Sequence, residues 1–131
     1  MDKSYYESLP IYRTAIDLVV KLDLVVRGFP QYHRYVLGTQ LRNQALSVLI
    51  LISEAMRPEE RVQKVTRLCE EVETMRLLMN VGKEVKAFSS FNEFMLIMKQ
   101  VIDLTRQAVG WRKKLKMSKP EPSSAGLQKS V

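Results

Sequence analysis

The chain has little with which to do chemistry on its own. Cys69 is its only cysteine and His33 its only histidine. A single thiol excludes an internal disulfide, and one thiol with one imidazole excludes a cysteine-rich zinc site. Di-iron carboxylate bundles need Glu-x-x-His pairs from facing helices, which a lone histidine near a helix start does not supply. Glycine is scarce too: the five, at 28, 38, 82, 110 and 126, form no cluster, so phosphate-loop and dinucleotide signatures are absent. The first residues lack the apolar core of a signal peptide, and no apolar run approaches membrane-spanning length. The compartment expected from these absences is a reducing, cytoplasmic one.

What the chain does have is hydrophobic periodicity and positive charge. At 131 residues with 46% hydrophobic content it suits one domain with a real core. A net charge of +7 points to an acidic partner such as nucleic acid. The pattern predicts an all-α fold of four helices at residues 9–27, 34–56, 58–87 and 90–116. Gly28-Phe29-Pro30 supplies the first stop, Arg57-Pro58-Glu59-Glu60 the second, and Phe88-Ser89-Ser90 offers a capping serine. Joints this short make sequence neighbours antiparallel, so the expected architecture is an up-down-up-down antiparallel four-helix bundle. Residues 1–8 read as an N-terminal extension, and 117–131, rich in Pro, Ser and Gly, as a disordered tail.

In the first helix Tyr12, Ile16, Val19, Leu22, Val26 and Phe29 form the expected buried stripe. The third offers Val62, Val65, Cys69, Val72, Met75, Met79 and Val85, with Cys69 as a core thiol, and the fourth Phe91, Phe94, Met98, Val101, Thr105, Ala108 and Leu115. The second differs: from Ala45 to Ile52 it is apolar nearly all the way round. Either the other three helices bury it deeply, or part of it is an interface. The interface reading assigns Leu46, Leu49 and Ile50 to self-association, with Leu18 and Val25 as outward residues of the first helix.

The acids Glu54, Glu70, Glu71, Glu73 and Asp103 find no partners with which to form a catalytic set, so neither enzymatic activity nor a cofactor nor a small-molecule substrate is expected. Charge is uneven along the chain. Residues 58–87 hold six basic and six acidic residues, whereas 88–116 hold six basic against two acidic. Arg106, Arg112, Lys113, Lys114 and Lys116 gather toward the end of the fourth helix, where Arg57, Arg61 and Lys64 are expected to join them. Such a patch suits phosphates, recognised by backbone and shape, and equally suits pairing with the helix dipole. Tyr32, His33, Arg34 and Tyr35 read as a cap on the bundle, with base stacking the other use for that cluster. Trp111 reads as a core anchor or subunit contact rather than a ligand cage, and the seven methionines as packing filler.

The pattern Phe29-Pro30, His33-Arg34-Tyr35, Leu37-Gly38 and Leu41-Arg42, with Leu77-Leu78 and Gly110-Trp111 further on, resembles the accessory variability determinant proteins of diversity-generating retroelements. More distantly it is similar to the four-helix proteins encoded by intervening sequences of 23S ribosomal RNA genes. The resemblance covers nearly all of residues 9–115, and its motifs are structural. It implies a homopentameric, basic, non-catalytic bundle that binds a reverse transcriptase and RNA, or an RNA/DNA hybrid, in support of mutagenic complementary DNA synthesis. Arg34 and Arg42, eight residues apart, are the residues it offers for partner or RNA contact. His33 departs from the other polar residues that relatives often carry there, and the basic residues of the third helix are scattered rather than in a run.

Overall fold

In the first helix the expected stripe is buried at Leu22, Val26 and Phe29, but toward the start of the helix the inward face is rotated from the expected one. Ile11, Ala15, Leu18, Leu22, Val25 and Val26 are buried, while Tyr12, Ile16 and Val19 are only half-buried. Two adjacent stripes on this helix share the same three- and four-residue steps, and periodicity alone does not choose between them. The correction extends to Leu18 and Val25, which lie in the core; the outward apolar residues are Val20 and Leu24.

The computed structural model describes residues 9–118. The extension expected at 1–8, and the expected tail from 119 onward, lie outside the described residues. Within them the regular elements are all helical: α1 (Pro10–Arg27), α2 (Leu37–Glu54), α3 (Arg61–Glu84) and α4 (Phe91–Ser118), with a short helix Gln31–Tyr35 before α2 and a 3-10 turn Pro58–Glu60 before α3. Met117 and Ser118, expected in the tail, continue α4. The expected second helix is interrupted at Val36, so Arg34 belongs to the short helix rather than to α2.

The helix ends are built by local chemistry. Pro10 opens α1, where a missing N–H costs nothing. Ser90 caps α4 by accepting the Glu93 N–H at 3.1 Å, and the Glu93 carboxylate reaches back to the Ser89 N–H at 3.1 Å and its hydroxyl at 2.7 Å. α3 ends three residues before the expected Ala87. Lys86 turns to a φ of 60°, and the Ala87 N–H bonds Gly82 O at 2.9 Å while the Lys86 N–H bonds Lys83 O at 3.1 Å. Glycine usually occupies that left-handed position, and a lysine there leaves the stop unsignalled in the sequence.

α1 packs against α2 and α4, and α3 packs against the same two helices. Arg42 meets Asp23 at 3.6 Å on the α1–α2 side. On the α2–α3 side Lys64 meets Glu54 at 3.0 Å, and the Gln44 amide donates to Glu71 O at 2.9 Å and Oε1 at 2.7 Å. Between α1 and α4 the Gln100 amide donates to Asp17 Oδ2 at 2.7 Å, and that of Gln107 to Thr14 Oγ1 at 3.0 Å. Inside run Leu22, Leu41, Ile52, Leu68, Met75, Met79, Ile97 and Leu104, all essentially inaccessible to solvent.

Two glycines permit close approach. A β-carbon on Gly38 would stand 2.5 Å from Val26 Cγ1, and one on Gly82 would stand 2.7 Å from the Phe88 ring. Beside them Phe29 meets Phe88 edge to face at 5.0 Å, and Phe88 meets Phe94 at 5.5 Å.

Val26 is buried and β-branched, so it has little freedom to retreat from a new methyl group. Gly38→Ala is therefore expected to destabilise the fold by about 1–3 kcal/mol in urea denaturation. In a Val26→Ala background the same change should cost much less; equal costs in both backgrounds would exclude this contact as the cause. A second expectation concerns Asp17, whose carboxyl pKa is lowered from 3.8 by the hydrogen-bonded Lys21 ammonium, opposed by partial burial and assisted by the Gln100 amide. A depressed folded-state pKa gives stability that is present above the unfolded value and lost as pH falls below 3.8 through the folded one. Asp17→Asn should lower the thermal midpoint slightly near neutrality and leave it unchanged in acid, flattening the acid limb by that same small amount, because the pair is solvent-screened.

Candidate nucleic-acid interface

Of the ten cations expected to contact nucleic acid, the fold holds most in internal pairings. Arg42 faces Asp23 across the α1–α2 groove, Arg57 meets Glu60 at 3.4 Å, Lys64 meets Glu54 at 3.0 Å, and Arg106 meets Asp103 at 3.4 Å. Arg61 is engaged more completely. Its Nε donates to Ala55 O at 2.8 Å and its Nη2 to Met56 O at 2.6 Å, so it closes the carbonyl end of α2. Arg34 sits at the opposite end of the molecule from the α4 terminus, with Nη2 3.4 Å from Phe29 O and its guanidinium 5.9 Å from the Tyr35 ring centre. The break at Val36 removes the eight-residue helical relation to Arg42, so the two arginines share no helix face.

The end of α4 is different. Lys113, Lys114 and Lys116 are exposed and form no ion pair with a described residue. Three cations within four residues on the last turns of a helix are drawn there partly by the helix dipole, and their ammonium groups stay in water. Arg112, half-buried, turns instead toward a shallow cleft between α3 and α4 that also holds Cys69, Glu70 and Glu73. Cys69 is half-buried rather than a core thiol; burial pushes its pKa up, which Arg112 partly opposes. A thiol held protonated is a poor nucleophile.

The expected meeting of the α4 terminus with the α2–α3 turn does occur. Lys114 and Arg61 line one cleft of about 510 Å³, together with Met56, Trp111 and Leu115. Trp111 is half-buried and packed on the core, so its indole is shared between the interior and this cleft.

The apolar surface of α2 is split. Ala45, Val48 and Ile52 are buried, Leu49 and Leu51 are half-buried, and Leu46 and Ile50 are 43% and 53% exposed. With Val20 and Leu24 on α1, Leu46 borders a groove of about 410 Å³ that Asp23, Arg27 and Arg42 fringe. The other three helices therefore leave part of α2 uncovered.

The aromatic surface at the α1–α2 hinge is more open than the cap expected from the sequence. Tyr32 and Tyr35 are 78% and 66% exposed, more than a cap requires, and Val36 lies beside them in water. The signal was the break itself: a short helix between Pro30 and Val36 packs too little of its length to bury its side chains. Among the described residues no helix is long and apolar enough to cross a membrane, and no group of three or more His, Cys, Asp or Glu could hold a metal ion.

No protein-family model matches the chain, and no curated protein matches it.

The two kinds of cation here separate by experiment. Arg61→Met removes both bonds to the α2 carbonyls and is expected to destabilise the fold by about 1–2 kcal/mol. Lys113→Ala should shift stability by less than about 0.5 kcal/mol. Chemical denaturation of both variants checks the assignment; equal effects would contradict it.

Proposed function

We propose that this chain is a non-catalytic accessory protein of the diversity-generating-retroelement type, an up-down-up-down antiparallel four-helix bundle that self-associates in the cytoplasm and binds RNA, or an RNA/DNA hybrid, together with a reverse transcriptase. The observation that carries this reading is the uncompensated trio Lys113, Lys114 and Lys116, set apart from lateral cations that are mostly paired with acids. An unpaired cation releases no internal partner when it meets a phosphate, so its contribution to binding is undiminished.

The topology is supported by how contacts pair along the helices. Val26 with Gly38 and Asp23 with Arg42, Glu54 with Lys64 and Glu71 with Gln44, and Asp17 with Gln100 and Thr14 with Gln107 all run in opposite chain directions. Self-association is supported by Leu46, exposed beside Val20 and Leu24 in the α1–α2 groove, and by Ile50, exposed one turn further along α2. A pentamer and the support of mutagenic complementary DNA synthesis follow from the resemblance in the sequence. In this reading the trio contributes long-range attraction and phosphate contact, and the partner polymerase supplies the chemistry.

A second reading is favoured by the internal pairing of Arg42, Arg57, Lys64 and Arg106: an interaction scaffold of the 23S ribosomal RNA intervening-sequence type, with no direct role in reverse transcription.

Size-exclusion chromatography with light scattering, at low and high salt and with absorbance at two wavelengths, distinguishes the readings. The accessory-factor reading expects an oligomer that carries nucleic acid at low salt and releases it at high salt. An oligomer free of nucleic acid under both conditions would favour the scaffold, and a monomer would remove self-association. Replacing Lys113, Lys114 and Lys116 together by Glu should flatten the log–log salt dependence of RNA binding by about 2, at ~0.7 for each single-strand phosphate contact. Leu46→Glu with Ile50→Glu should dissociate the oligomer and leave helicity intact, since both positions face solvent.

A further inference from the structure

Gly110 is the one described glycine that nothing in the fold explains. Gly38 and Gly82 admit close neighbours and Gly28 ends a helix, but a β-carbon on Gly110 would meet nothing within 4 Å. It is exposed inside α4, where glycine lowers helix stability relative to alanine. The open space at Gly110 belongs to the cleft at the end of α4, next to Trp111 and one turn before Lys114. The described residues that line this cleft include two cations, Arg61 and Lys114, and no carboxylate. Arg61 is committed to the α2 carbonyls, which leaves Lys114 and the neighbouring Lys113 free for an anion.

Resting on the nucleic-acid reading above, we propose that this cleft receives an unpaired nucleobase of single-stranded RNA, stacked on Trp111 over the bare backbone at Gly110, with an adjacent phosphate held by Lys114. An indole offers a stacking face that accepts any base, so the site adds affinity without selecting sequence. Glycine in place of alanine lets the flat ligand approach the helix more closely. Lys114 and the absence of acid among the described lining residues favour a phosphate-bearing occupant over an uncharged apolar peptide.

The chain has one tryptophan, so its fluorescence reports this cleft alone. The test titrates the full chain with a short single-stranded oligouridylate and, separately, with inorganic polyphosphate, which has charge and no bases. Binding is read in parallel by anisotropy of end-labelled oligouridylate. The expected result is strong quenching by oligouridylate and little by polyphosphate. Trp111→Leu, which keeps apolar volume on the core, should weaken oligouridylate binding about tenfold. Gly110→Ala should raise the thermal midpoint by about 3–6 °C, and Gly110→Leu, which fills the cleft, should weaken binding as Trp111→Leu does. Salt-dependent oligouridylate binding without selective quenching, or binding unchanged in Gly110→Leu, would overturn the cleft proposal and leave the nucleic-acid reading standing. Absence of oligouridylate binding even at low salt would overturn both.

Discussion

The crossing of α1 and α2 at Gly38 is the contact on which the rest of the arrangement turns. With no side chain at Gly38, Val26 presses directly on the backbone of α2, and the next residue back, Leu37, comes within reach of Gly82 on α3. Three helices are thereby drawn together at one end, in a space narrow enough for Phe29, Phe88 and Phe94 to fill edge to face. Once that end is set, Asp23 comes opposite Arg42 and, further along, Lys64 comes opposite Glu54. Dense packing transmits such a constraint because a well-filled interior has few ways to slide.

The two ends of the molecule differ accordingly. The hinge end is drawn tight by glycine and aromatic packing. About 25–30 Å from Phe94 along α4, at 1.5 Å per residue, no glycine admits a neighbour, and an open cleft lies around Trp111 and Lys114. Charge follows the same division. Along the sides, cations find acids on the same or the facing helix and contribute little net field, as exposed ion pairs generally do. At the α4 terminus Lys113, Lys114 and Lys116 have no such acids and lie within four residues of one another, so they form a local concentration of positive charge, whereas Arg13, Lys83, Lys86 and Lys99, also outside any ion pair with a described residue, are dispersed. An apolar face on α1 and α2 and a cationic end on α4 are separate surfaces, which lets self-association and anion binding proceed without competing for the same residues.

The helices themselves were legible in the sequence, because Gly28, Pro30, Pro58 and the Ser90-to-Glu93 cap act through local backbone chemistry. The end of α3 was less so: Lys86 takes a left-handed conformation that its residue type does not announce. The inward face of α1 was legible at Leu22, Val26 and Phe29 but not in its first half, because two apolar stripes lie side by side there, and only its contacts with α2 and α4 single out Leu18 and Val25 as core. Among the candidate site residues, the cluster at the end of α4 was visible as a run of charge. The engagement of Arg61 with the α2 carbonyls was not, since it depends on a turn that folds Arg61 back on residues five and six positions earlier.

What the sequence determined by itself is therefore what short-range physics controls: the all-helical class, the approximate helix limits, an over-apolar second helix and an excess of positive charge near the end of the fourth. Tertiary structure alone decided which cations are neutralised, which apolar residues of α2 remain in water, and that Gly110 borders a cleft where Gly38 borders a neighbouring helix. Those properties depend on the rotation and separation of helices distant in the chain, and a residue's own neighbours in sequence carry no information about either.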